Sequence, residues 1–190
     1  MGQQEEFVMS DEDKKDTFIV IPAYNEEDRV QPVVEDIAKK GFRMVVVNDG
    51  STDKTLEQLK ESQKKYPENI FVLDHIINQG MGAAIGTGLD AALKHNPKYI
   101  VNIDADGQHD INDIDRVCEP LVKGKAEAVL GVRPYEDMPF TKNFANSLMN
   151  LLTRTLYGVK VSDSQTGFRA VSVETLEKID VDVQGYIVAS

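Results

Sequence analysis

An α/β fold, with a mainly parallel central sheet and helices on both of its faces, is what this sequence predicts. Three observations carry it. Short β-branched runs alternate with amphipathic stretches from residue 17 to residue 132. The runs are almost wholly apolar, as strands buried on both faces must be. The stretches between them are long enough for the right-handed helical crossovers that parallel strands require. With 190 residues the chain has room for one such domain.

The predicted strands cover residues 17–21, 44–47, 70–73, 99–103 and 128–132. In the first predicted helix Val30, Val33, Val34, Ile37 and Ala38 recur at helical spacing, Pro32 is tolerable in a first turn, and Gly41 ends it. Further helices are expected at 53–66, 81–95, 112–123 and 141–156. Residues 1–16 carry six acidic residues, two lysines and little apolar pattern, so they read as a flexible acidic arm outside the fold.

Composition narrows the functional classes. Hydrophobic residues make up 41 % and charged residues 28 %, the balance of a globular core rather than a disordered chain. A net charge of −11, from 21 basic against 32 acidic residues, opposes general nucleic-acid binding. One cysteine, Cys118, excludes an internal disulfide and a multi-cysteine zinc site, and it reads as a buried spectator in a reducing compartment. The apolar run at 18–23 is far too short for a membrane span and lacks a basic segment before it. The expected location is cytoplasmic.

Ligands of parallel sheets bind at the carboxyl ends of the strands, which directs attention to the four loops there. They carry Pro22-Ala23-Tyr24-Asn25-Glu26-Glu27, Asn48-Asp49-Gly50-Ser51-Thr52-Asp53, Asn78-Gln79-Gly80-Met81-Gly82 and Asp104-Ala105-Asp106-Gly107-Gln108. The chain has 18 aspartates and four Asp-x-Asp pairs, where about two are expected by chance, so the pair alone means little. Only Asp104 and Asp106 directly follow a buried-looking strand. With Gln108 nearby they suit a hard cation such as Mg²⁺ or Mn²⁺ completed by substrate phosphates, the alternative being a plain strand-end turn. Asp49 stands in a turn-forming sequence, yet a carboxylate at a strand end can also accept a base N–H or a ribose hydroxyl. Gly80 and Gly82 lack dinucleotide and phosphate-loop spacing but open a helix whose N-terminus favours anions. His75, His95 and His109 lack metal-ligand spacing and read as surface or polar-network residues; His109 alone borders the acidic loop.

From residue 131 to 170 the charge inverts, with Arg133, Lys142, Arg154, Lys160 and Arg169 against Glu136, Asp137 and Asp163, or plus 2. The partner of this island is either the acidic remainder of the chain or an anionic substrate or lipid surface. The expected helix at 141–156 has a broad apolar side, including Phe144, Leu148, Met149, Leu151, Leu152 and Leu156, suited to a buried helix, a dimer contact or a polyprenyl chain and membrane surface.

Taken in order, the four loops and Asp163-Ser164-Gln165-Thr166-Gly167-Phe168-Arg169 resemble family 2 glycosyltransferases, and the last motif with its basic segment is most similar to polyprenyl-phosphate (dolichyl-phosphate) mannose and glucose synthases. The resemblance covers residues 17–172. It implies a GT-A nucleotide-diphospho-sugar transferase fold and metal-dependent, inverting transfer of a hexose from a GDP-mannose or UDP-glucose type donor to a polyprenyl phosphate or another lipid-linked acceptor. By matching position, Pro22, Ala23, Tyr24, Glu26, Asp49, Gly80, Asp104 and Asp106 are implied in donor binding, and Asp104, Asp106 and Gln108 in holding Mg²⁺ or Mn²⁺. Asp106, Arg133, Asp163 and Arg169 are implied in the transfer itself, the arginines on phosphates and Asp163 as a base should the acceptor be a saccharide or lipid hydroxyl. A non-catalytic nucleotide-binding homologue is the reading from another class.

On this resemblance residues 17–190 form one domain, with a nucleotide-sugar half at 17–132 and an apparently shortened acceptor-side half at 133–190. Met81 stands where many relatives carry a basic residue. The ending at 185–190 departs from the family's acidic continuation and stops early, which a homodimer, a truncated chain or a partner supplying the membrane anchor would each explain, and the expected place of action is the cytoplasmic face of a membrane.

Overall fold

The structure, a computed structural model, describes residues 7–131 and 168–178. In chain order its elements are α1 (Asp11–Lys15), β1 (Thr17–Ala23), α2 (Val30–Lys39), β2 (Arg43–Asp49), α3 (Thr55–Lys65), β3 (Ile70–His75), α4 (Met81–Leu93), β4 (Tyr99–Asn102), α5 (Asp113–Val122), β5 (Ala128–Leu130), β6 (Arg169–Ser172) and α6 (Val173–Lys178). They build a six-stranded sheet in the order β3-β2-β1-β4-β6-β5. β1 pairs in parallel with β2 and β4, and β2 with β3, so the four expected parallel strands point their carboxyl ends at one edge. The expected helix at 141–156 with its apolar side, the strand end at residue 132 and the ending at 185–190 lie outside the described residues.

Alternation along β1 shows how both faces are covered. Ile19 and Ile21 join Val34 and Ile37 of α2, Leu59 of α3, and Ile114 and Cys118 of α5 in one core cluster. Phe18 and Val20 face the opposite way, onto Ala84, Leu89 and Ala92 of α4, with Leu176 of α6 beside them. All seven residues of β1 are buried, as the centre of a two-sided sheet requires. α4 comes unusually near the sheet: a Cβ on Gly88 would lie 2.5 Å from Val20 Cγ1, so only glycine fits there. Burial pushes the Cys118 thiol up to about 12, as befits a spectator.

Two features differ from the sequence reading. Residues 7–16 do not form a solvated arm: Met9 is 3 % exposed, its N–H donates to Asp115 Oδ1 at 3.1 Å, and Phe7 packs against the core. Ser10 Oγ caps α1 by accepting the Asp13 N–H at 3.1 Å, a signal that the surrounding acidic run concealed. The second is β6, a strand of four residues that the sequence reading lacks. It runs antiparallel between β4 and β5, so β5 reaches the sheet through β6 instead of lying beside β4.

An ion pair fastens α2 to α3 across that first face. Lys65 Nζ lies 2.5 Å from Glu35 Oε2, and Gln31 Nε2 donates to Glu35 Oε1 at 3.2 Å. The hydrogen bond from Lys65 holds the Glu35 carboxyl below its ordinary range in spite of burial. A carboxyl lowered by folding contributes stability that is in place above its unfolded pKa and is lost as the pH falls through the folded one. Lys65 is 58 % exposed, so solvent screening keeps the pair weak. Lys65→Met is expected to melt at most a few °C below the parent near pH 7. The gap should close as the pH falls and the carboxyl protonates, and equal gaps at all pH values in thermal unfolding would contradict the assignment.

Candidate active site

The loops after β1 and β2 form one hydrogen-bonded unit. Asn25 adopts a left-handed φ of 55°, which asparagine tolerates, and from there its N–H donates to Ser51 Oγ at 3.0 Å while its Oδ1 accepts the Thr52 N–H at 2.9 Å. The Glu26 N–H donates to Thr55 Oγ1 at 2.8 Å, the Glu27 N–H to Asp53 Oδ2 at 3.2 Å, and the Lys54 N–H to Glu27 Oε2 at 2.9 Å. Asp53 Oδ1 also accepts the Thr55 N–H at 3.0 Å, bridging the turn into α3. Burial alone would raise the Asp53 carboxyl, but the bonds from Thr55 and Glu27 outweigh it and hold it below its ordinary range. These acids and hydroxyls therefore shape the loops that carry Tyr24 and Glu26.

Asp49 ends β2 with a side chain only 3 % exposed. Its Oδ1 lies 2.7 Å from His75 Nδ1 and accepts the Gln79 N–H at 2.9 Å, and its Oδ2 accepts the Gly80 N–H at 2.8 Å. The sequence placed this carboxylate on a ligand; the structure gives it a second task, anchoring the loop that opens α4. His75 reads from the sequence only as a surface or polar-network residue and Thr87 not at all, because their link to Asp49 joins positions far apart in the chain with no motif between them.

The chain at residues 77–78 crosses directly over Gly50. A Cβ there would lie 2.4 Å from both Asn78 N and Ile77 C, and φ is 67°. Gly50→Ala is expected to cost about 2–4 kcal/mol, from left-handed strain plus displacement of the loop. In this chain that amounts to about 5–12 °C of melting temperature. A melting temperature within about 1 °C of the parent would contradict the close approach.

After β4, Asp104, Ala105 and Asp106 turn at Gly107, whose φ is 68°. The Gln108 N–H donates to Asp106 Oδ1 at 3.0 Å, so the contact shown for Gln108 is one that orients Asp106. His109 Nε2 lies 3.6 Å from Asp104 Oδ2, and the His109 ring packs on Phe168 with centroids 5.2 Å apart. Because β6 is antiparallel, it enters the sheet at the carboxyl edge, with Arg169 opposite Asn102 and two residues before Asp104 in the β4 register. A segment far along the chain is thereby brought to the acidic loop.

Pro22, Ala23, Tyr24, Glu26, Asp49, Asp104 and Asp106 line a single cavity of about 300 Å³, together with Asn78, Met81 and Ala105. Gly80 stands behind it as Asp49's partner. Arg133 and Asp163 lie outside the described residues. Burial holds the Glu26 carboxyl above its ordinary range, and Asp106, Asp53 and Asp104 add to the effect against Arg29. The cavity therefore carries excess negative charge. Among the described residues no three His, Cys, Asp or Glu side chains form a metal cage. Two carboxylates at the mouth of a cavity nonetheless fit a hard divalent cation that takes its remaining ligands from water and phosphate.

The family model described as Glycosyl transferase family 2 matches residues 18–180. The chain is 33 % identical over 177 residues to the UDP-N-acetylglucosamine–dolichyl-phosphate N-acetylglucosaminyltransferase of Methanococcus voltae, covering 84 % of this chain and 70 % of that one. It is 31 % identical over 180 residues to the polyprenol monophosphomannose synthase of Mycolicibacterium smegmatis, covering 90 % and 68 %. In fold it is similar to glucosyl-3-phosphoglycerate synthase from Mycobacterium tuberculosis, solved with Mn²⁺, uridine diphosphate and glucosyl-3-phosphoglycerate. The TM-score is 0.68 at 22 % identity, over 84 % of this chain and 57 % of that one.

Proposed function

The chain belongs to glycosyl transferase family 2, and from that membership we propose that it moves a hexose from a nucleoside diphosphate sugar of the GDP-mannose or UDP-glucose type to a polyprenyl or dolichyl phosphate, inverting the anomeric carbon. The observation that carries the donor half is the meeting of Asp49, Tyr24 and Glu26 with Asp104 and Asp106 in one cavity at the carboxyl edge. The acceptor half rests on the two lipid-phosphate relatives and on the approach of Arg169 to that edge.

In this reading Tyr24, Glu26 and Asp49 receive the nucleoside, and Asp104 and Asp106, with Gln108 beside them, hold Mg²⁺ or Mn²⁺ against the diphosphate. When bound, such a cation neutralises the charge that grows on the leaving diphosphate. Gln108 keeps Asp106 oriented through its N–H, and His109 supports Asp104 from behind. Arg133 and Arg169 offer forked donors to phosphate oxygens. A phosphate-monoester acceptor is already anionic near neutral pH and needs no strong base; a hydroxyl acceptor would, and Asp163 is its candidate. The enzyme works at the cytoplasmic face of a membrane, where its acceptor lies, as a homodimer or with a membrane-anchoring partner. No helix among the described residues is long and apolar enough to cross the bilayer.

Titration calorimetry with UDP and GDP tests the donor and metal assignments. Saturable binding of one of them is expected with Mn²⁺, falling at least about tenfold in EDTA because the carboxylates then face the diphosphate as like charges. Equal affinity with and without metal would contradict it.

A further inference from the structure

α4 lies on the sheet through small residues: its buried positions are Ala84, Gly86, Gly88 and Ala92. Such a face approaches closely, and Leu89 beside it is only partly buried against the strands, so packing fixes the helix's position along its own axis less firmly than an interlocked face of long side chains would. That position matters, because the first turn of α4 brings Met81 to the cavity and the preceding loop brings Asn78.

Polar contacts add to what packing supplies. Asp49 accepts the Gly80 N–H at the start of the helix, and His75 Nε2 lies 3.0 Å from Thr87 Oγ1 two turns further along. Gly80 and Thr87 are seven residues apart and therefore share a helix face. Between them stand the short contact of His75 Nδ1 with Asp49 Oδ1 at 2.7 Å and side chains 9 % and 3 % exposed. An ionised carboxylate only accepts, so His75 Nδ1 carries the proton given to Asp49. Nε2 can then accept the Thr87 hydroxyl, and every member of the chain has a partner.

We propose that His75 is a positioning residue of the donor cavity: by joining Asp49 to Thr87 it fixes the 76–80 loop and the axial position of α4. It touches no substrate in this role. The inference rests on the reading of the cavity as a nucleotide site only for its binding consequence; the hold on the loop is a property of the free protein.

The test compares His75→Ala, His75→Asn and Thr87→Val in the full chain by amide hydrogen exchange and by titration with UDP and GDP in Mn²⁺. Asparagine keeps an N–H close to the place of Nδ1. In His75→Ala, exchange at Gln79 and Gly80 is expected to accelerate at least about tenfold while Ile19 and Ile21 of β1 stay within about twofold of the parent. Nucleotide Kd and donor KM should rise about tenfold with kcat changed less. His75→Asn should recover most of both effects, and Thr87→Val should loosen Gly80 more weakly than His75→Ala. Unchanged Gln79 and Gly80 exchange in His75→Ala would overturn the proposal, as would equal acceleration in β1 with no recovery by asparagine. Should the parent protein bind neither nucleotide, the functional reading fails, and the exchange measurement still decides the role of His75.

Discussion

Asp106→Asn is expected to lose transfer activity by about 10²–10³-fold, the scale seen when one preorganised group that stabilises transition-state charge is removed. The fold should survive. Asparagine keeps a side-chain oxygen that can accept the Gln108 N–H, now made to Asp106 Oδ1 at 3.0 Å, so the turn at Gly107 retains its internal bond. What disappears is half of the negative charge that Asp104 and Asp106 present to a cation. The variant should melt within about 2 °C of the parent yet bind nucleotide equally weakly in Mn²⁺ and EDTA. Metal-dependent binding at the parent's affinity would remove Asp106 from the metal site.

Asp49→Ala carries the second large effect, and it falls on stability as well as binding. The carboxylate meets His75 Nδ1 and two backbone N–H groups at 2.7–2.9 Å while almost fully buried. Hydrogen bonds to charged groups contribute about 1.5–3 kcal/mol each and are not additive, so truncation is expected to cost about 2–4 kcal/mol. That corresponds to about 5–12 °C, with nucleotide affinity reduced at least about tenfold as the loop at 76–80 loosens. Asp49→Asn should fall between, since its oxygen can still accept while its amide meets the Gly80 N–H donor to donor. Full donor affinity in an Asp49→Ala protein that still folds would show that neither the carboxylate nor the loop it anchors contributes to binding.

The positions of the four loops were legible because β1 to β4 are each built on an apolar run and separated by helical patterns, which leaves a parallel sheet and a single ligand edge. Asp104 and Asp106 stood out for the same reason: they directly follow a buried strand. β6 was not legible. Its sequence, Arg169-Ala170-Val171-Ser172, is too short for a periodic signal, and its antiparallel place between β4 and β5 follows from tertiary pairing rather than from a βαβ repeat. Asp49 was singled out as a candidate for donor binding, but its task as an anchor was hidden, because its partners Gln79 and Gly80 lie 30 and 31 residues away and are backbone amides that any sequence would offer. The docking of Met9 on Asp115 was hidden likewise, spanning 106 positions.

The measurement that bears most directly on the central claim is sugar transfer from labelled GDP-mannose and UDP-glucose, offered separately to polyprenyl phosphate and to the corresponding polyprenol, with Mn²⁺ and with EDTA. One donor is expected to label the lipid phosphate in Mn²⁺, with no product on the alcohol and none in EDTA. Transfer to the alcohol but not the phosphate, or nucleotide binding without transfer to either lipid, would contradict the claim.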